Sequence, residues 1–161
     1  MDRREALRNM APIGCAILGG CSSFLDQQNE EVILGKIQVL NFSLTPQRVR
    51  IIVTRNGENL TSQEIELDHP PNDNTNATVD WTTIEPSWDL TKAKYTVEAV
   101  HIDESGDTES ESYSRTFTQK DYEYVPGDPQ CLAIGVEIGS LTEKKNPPIE
   151  IHPTNIESPC G

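Results

Sequence analysis

Beyond residue 31, apolar and polar residues alternate with a period of two, the pattern of strands that turn one face inward. Val49, Ile51 and Val53 alternate with Arg48, Arg50 and Thr54, and Ile65 and Leu67 with Glu64 and Glu66. Tyr95, Val97 and Ala99 alternate with Thr96 and Glu98; Leu132, Ile134, Val136 and Ile138 alternate with Ala133, Gly135 and Glu137. Helical spacing is not evident in this part of the chain. Turn residues fall between the runs. Asn56-Gly57 separates 47–55 from 59–67, and both residues tolerate the positive φ of a tight hairpin. Glu104-Ser-Gly-Asp107 separates 94–102 from 108–118, and the polar stretch 68–76 is a longer connection that no strand crosses.

Strands are therefore expected near 32–44, 47–55, 59–67, 76–83, 93–102, 108–118, 130–138 and 147–152. Seven or eight short strands at this spacing predict an all-β sandwich. In the first of them Ile37 and Val39 are in one phase and Leu40, Phe42 and Leu44 in the other, which predicts a bulge or sheet switch near Leu40. The stretch Leu90-Thr-Lys-Ala-Lys-Tyr95-Thr-Val-Glu-Ala resembles the approach to a late strand of immunoglobulin-like and fibronectin-like domains. That resemblance implies either a Tyr95 hydroxyl bonded back to the preceding corner or a Tyr95 that simply packs. Trp81 and Trp88 are expected as core or rim aromatics. The resemblance covers roughly residues 40–120 and implies a fold, not an activity.

The N-terminus follows a different plan. A charged segment, Met1 to Arg8, precedes the apolar and small residues Met10 to Gly20, and Cys21 follows. The apolar stretch is 11 residues with Pro12 and three glycines inside it, too short for a spanning helix of about 20 residues. The layout is that of a secretory signal. Arg3-Arg4, with Glu5, Ala6, Leu7 and Arg8 after them, resembles a twin-arginine export signal. Leu18-Gly19-Gly20-Cys21 resembles a lipobox, in which small side chains let the extended backbone enter a signal peptidase. The cysteine thiolate is the nucleophile that takes a diacylglyceryl group as a thioether. Residues 1–20 are expected to be removed, 21–31 to form a lipidated cysteine and polar tether, and 32–161 to be the sandwich domain.

Charge extends this picture. The 161 residues hold 13 Lys plus Arg against 26 Asp plus Glu, a formal charge of -13. No basic footprint for nucleic acid or for an anionic membrane surface is present. Together with the export signal and lipobox, this acidity resembles the exported lipoproteins of halophilic archaea. Cleavage after residue 20 removes three arginines, Asp2 and Glu5, leaving 10 basic and 24 acidic residues and a charge of -14. Such a charge strains a small fold in dilute buffer. At molar salt the Debye length falls to about 3 Å and the repulsion is screened. Solvation in brine accounts for the acid excess.

Four cysteines are present; Cys15 belongs to the signal and Cys21 to the lipid. Cys131 and Cys160 remain, an even pair in an exported domain, and a disulfide is expected between them. A copper site needs two His, a Cys and usually a Met at close spacing, and no His or Met follows Cys131 in that way. His69, His101 and His152 lie on separate segments, and no metal or cofactor is expected. Asp103 to Glu109 reads as a solvated hairpin tip lacking the spacing of a calcium loop. No Gly-x-Ser-x-Gly elbow or phosphate-cradling glycine loop appears. The sequons at Asn59 and Asn76 are candidate glycosylation sites, whereas Asn41, in mid-strand, is a poor one.

The sequence thus predicts a non-catalytic binding or interaction module, anchored to the membrane by lipid on Cys21 and facing outside. It would engage a protein or glycan through loops such as 68–76 and 103–108 or through a sheet edge. The alternatives are an accessory subunit of a membrane transport or redox complex and, third, a small extracytoplasmic enzyme.

Overall fold

The structure, a computed structural model, describes residues 31–69, 79–103, 109–127, 129–139 and 146–161. The export signal, Cys21, Asn76 and most of the two long acidic connections lie outside the described residues. The expected runs all carry strands: β1 (Val32–Asn41), β2 (Gln47–Arg55), β3 (Glu58–Leu67), β4 (Asp80–Ile84), β6 (Tyr95–Ile102), β7 (Glu109–Thr116), β8 (Leu132–Ile138) and β9 (Ile149–Thr154). A two-residue β5 (Lys92–Ala93) makes a ninth, and a short 3-10 helix, Gln119–Tyr124, follows β7.

Two sheets pack face to face. One has the order β4-β1-β8-β9, with β5 beside β1, and the other the order β3-β2-β6-β7. The period-two residues supply the interior. Val49, Ile51 and Val53 of β2 and Tyr95, Val97 and Ala99 of β6 meet Ile37 and Val39 of β1 and Ile134, Val136 and Ile138 of β8. Asn56 and Gly57 turn the β2–β3 hairpin with φ of 52° and 86°. Both values are positive, as the sequence required.

At the corner before β6 the structure decides between the two roles expected of Tyr95. Tyr95 is fully buried, and its hydroxyl donates to the Thr91 carbonyl at 2.9 Å. It is thus the corner tyrosine rather than only a packing residue. Trp88 belongs to the core, as expected, whereas Trp81 on β4 is 56% exposed. Among the described residues one strand pairing is parallel. After β7 the chain crosses to the other sheet, and β8 runs parallel to β1, with β9 antiparallel beyond it.

The phase change in β1 is real but earlier than Leu40. The register slips between Leu34 and Ile37, so Val32 and Leu34 face inward ahead of it and Ile37 and Val39 after it. Leu40 is left half-buried on the outer face. The cause is a backbone crossing at Gly35. The Lys36 N–H donates to the Pro159 carbonyl at 2.8 Å. A Cβ on Gly35 would stand 2.0 Å from that same oxygen, closer than any side chain permits. On the other edge, the Trp88 indole N–H donates to the Leu34 carbonyl at 3.0 Å, where the ladder passes from β4 to β5.

The segment that crosses Gly35 is held by a Cys131–Cys160 disulfide, Cα atoms 5.4 Å apart. The neighbouring edge of the sandwich is closed by Arg115 of β7. Its guanidinium donates to the Ile151 carbonyl of β9 at 3.0 Å and to Asp121 at 2.6 Å, and lies 5.4 Å from the Phe117 ring centre. Asp121 is itself buried and accepts from the Thr118 N–H at 2.7 Å. Charge, cap and sheet edge are thereby joined in one network.

The disulfide spans a sequence separation of 29 residues. By loop-closure entropy, replacing both cysteines with serine is expected to lower the unfolding free energy by about 3 to 4 kcal/mol. A denaturant titration of the two proteins, read at matched slope, measures it.

Candidate functional site

Strand register gathers four connections at one end of the sandwich. Asn41, the last residue of β1, pairs with Asp80 at the start of β4 and with Ile138 at the end of β8. Gln47, opening β2, pairs with Leu67, closing β3, and Val49 pairs with His101 near the end of β6. Segments 42–46, 68–79, 103–108 and 139–148 therefore all leave from this end. The described residues that flank the two loops the sequence singled out lie at this end. The start of β1, the Asn56-Gly57 hairpin, the 3-10 helix and the C-terminal segment occupy the opposite end.

The bases of these connections are tied by buried polar side chains. Asn41 is fully buried. Its amide donates to the carbonyls of Thr45 at 2.9 Å and Asp68 at 2.8 Å, and its Oδ1 accepts from the Ser43 N–H at 2.9 Å. One side chain thus fastens 42–46 to the exit of β3. Asp80 adds a second tie, its carboxylate accepting from the Asp68 N–H at 2.7 Å. Between the sheets, His101 Nε2 lies 2.8 Å from the Pro147 carbonyl. A carbonyl can only accept, so Nε2 carries the proton. Tyr113 meets this imidazole edge to face, with centroids 6.3 Å apart.

These ties frame a cleft of about 510 Å³. Pro46, Leu67 and Ile102 supply apolar wall, and Arg48, Asp68 and Asp103 supply charge. Arg48 is fixed from the outer face of the sheet. It donates to Glu64 at 2.9 Å, Arg50 donates to the other oxygen of Glu64 at 2.9 Å, and Glu66 stands 3.3 Å from Arg48 Nε. That last contact is a charge pair without hydrogen-bond alignment. The hydrogen bond from Arg50, aided by the charge of both arginines against a smaller opposing effect of desolvation, holds the Glu64 carboxyl below its ordinary value. The cleft combines an apolar floor with fixed charges of both signs, the chemistry of a recognition surface.

The histidines do not converge. His69 is exposed, and His152 lies on the outer face of β9 with Nε2 2.9 Å from Glu137. His101 faces inward, because it shares the phase of Tyr95, Val97 and Ala99. Among the described residues no group of three His, Cys, Asp or Glu is placed to hold a metal ion, and no helix is long and apolar enough to cross a membrane. Of the sequons, Asn59 is exposed on β3 and Asn41 is enclosed. Sequence reasoning missed Asn41 and His101 as structural ties. The available signal was their phase, since each is a polar residue at an inward position of its strand.

Two outcomes follow from this geometry. Asn41→Ala strands the Ser43 N–H and two carbonyls, and is expected to cost at least about 2 kcal/mol of stability in denaturant unfolding; glycopeptide mapping of the unaltered protein should find Asn41 bare. Glu64, with its lowered value, stabilises the fold above the ordinary carboxylate range and loses that contribution as pH falls through the lowered value. The stability gap between the unaltered protein and Glu64→Gln should therefore be widest near neutrality and close in acid, read by thermal melts across a pH series.

Comparison with protein-family models, curated proteins and solved structures finds no match to this chain, so the role of this end is inferred from its own residues.

Proposed function

We propose that this protein is a lipoprotein of the outer cell surface, held by a diacylglyceryl thioether on Cys21, whose sandwich recognises a protein or glycan without catalysing a reaction. The observation that carries the reading is the opposition of the two ends. The chain enters the domain at Val32, and the four connections open at the far end of β1. Ten residues of strand at about 3.3 Å each separate them by roughly 33 Å. A tether at the first end leaves the second free to meet a partner.

Three further features support it. Arg3-Arg4 and Leu18-Gly19-Gly20-Cys21 supply the export and lipidation chemistry in the order that chemistry needs. The Cys131–Cys160 bridge suits an oxidising compartment. The 510 Å³ cleft lies among the connections that the tether leaves unencumbered. A twin-arginine signal and an acid excess also fit the resemblance to halophilic lipoproteins, with Asn59 on exposed β3 as the site for surface glycan.

Cys21→Ala is the direct test. It should abolish incorporation of labelled lipid and move the protein from the membrane fraction to the soluble fraction. Persistence on the membrane without label sinks the anchor. Recovery of a stoichiometric membrane complex after gentle detergent extraction would instead favour an accessory subunit.

A further inference from the structure

The end at which β1 begins displays apolar side chains beside the point where the chain enters the domain. Tyr124, 74% exposed, stands on the 3-10 helix, and Leu90, 40% exposed, precedes β5. Trp81, 56% exposed, lies toward the other end, paired with Leu40 of β1; with it, Tyr124 and Leu90 are the large apolar side chains most exposed among the described residues. Arg55, Lys92, Lys94 and Lys120 lie on segments of this end together with the acidic Glu58, Asp89, Asp121, Glu123 and Glu157. At the other end, segments 68–80 and 103–109 hold seven acidic residues and no Lys or Arg, and 139–148 adds Glu143, Lys144 and Lys145.

The exit of the chain is fixed beside these residues. Gln119 donates to the Glu31 carbonyl at 2.7 Å, and the Ile33 N–H donates to the Tyr122 hydroxyl at 3.0 Å. Gln119, Tyr122 and Tyr124 belong to the same six-residue helix. The helix that grips the point of departure is therefore the one that displays Tyr124.

We infer that this end is a membrane-facing surface: Tyr124 and Leu90 rest in the headgroup layer of the bilayer that holds Cys21, Lys92 and Lys120 meet its phosphates, and the cleft points away. The inference rests on the lipid at Cys21 and adds an orientation to it. Ten residues, 22–31, join that cysteine to the domain, and a random-coil chain of ten residues has a mean end-to-end distance of about 18 Å. That distance is close to the radius of a domain this size, so the tether end is presented to the bilayer at high effective concentration. Weak contacts then suffice. Tyrosine prefers the boundary between water and acyl chains, and lysine stems lie along apolar surface while their heads reach phosphate. In dilute buffer an anionic surface repels the loop end, the more acidic of the two, within a Debye length.

The test uses the full lipidated chain on vesicles of phosphatidylcholine and phosphatidylglycerol, with the Cys21→Ala chain free in the same buffer. Each is treated with a membrane-impermeant lysine acylating reagent and mapped by mass spectrometry. On vesicles, Lys92 and Lys120 are expected to react several-fold more slowly relative to Lys144 and Lys145 than they do in the free chain. Leu90→Glu combined with Tyr124→Glu should erase that protection while the protein stays vesicle-bound through its lipid. Equal ratios on vesicles and in solution, or protection of Lys144 and Lys145 instead, would overturn the orientation. A chain that carries no lipid and never floats with vesicles overturns the anchor, a separate and recognisable failure.

Discussion

A buried strand cannot leave its backbone N–H and C=O groups unpaired without a cost comparable to a lost hydrogen bond, and β1 lies under that constraint along its whole length. It is flanked by β4 and β5 on one edge and β8 on the other. Its slip at Gly35 breaks both ladders at once. The repair comes from two distant pieces of chain, the Trp88 indole and the Pro159 carbonyl. The disulfide then gains its meaning, because it holds the segment that supplies the second repair. Glycine is required at 35 because the repairing carbonyl passes where a Cβ would be.

What the sequence made legible follows from what periodicity can encode. Alternation marks a strand and its inward face, and the inward residues of β2, β6 and β8 lie where their phase put them. It says little about which strand neighbours which. The parallel pairing of β1 with β8 depends on contacts between residues about a hundred positions apart, and no local pattern records them. The phase break in β1 was visible but was placed at Leu40 rather than Gly35, because the crossing backbone that causes it is remote in sequence. The bases of the loops were obscure for a related reason. Asn41 reads as a sequon and His101 as a strand-face histidine, until burial shows that each joins segments from different parts of the chain.

The cleft end and the tether end solve different problems with different chemistry. At the cleft, the Asn41 amide, the His101 imidazole and backbone carbonyls do most of the tying, joined by the Asp80 carboxylate on the Asp68 N–H. Salt weakens Coulomb attraction between exposed charges far more than it weakens a buried amide bond, so the loop bases keep their shape across a wide range of ionic strength. At the other end Arg115 and Asp121 form a charged contact with Asp121 enclosed and Arg115 half-buried, less open to screening than the Arg48–Glu64–Arg50 network on the outer face.

The parallel placement of β8 has a consequence in time. The first strand of the sandwich finds one of its neighbours only after nearly all the others have been made, and its edge stays open meanwhile. Synthesis at about 5 to 20 residues per second leaves that apolar edge uncovered for several seconds, an interval in which another nascent copy could zip onto it. A product that stops before β8 would carry the same open seam permanently. Whatever escorts the unfinished polypeptide must therefore shield its beginning until close to its end.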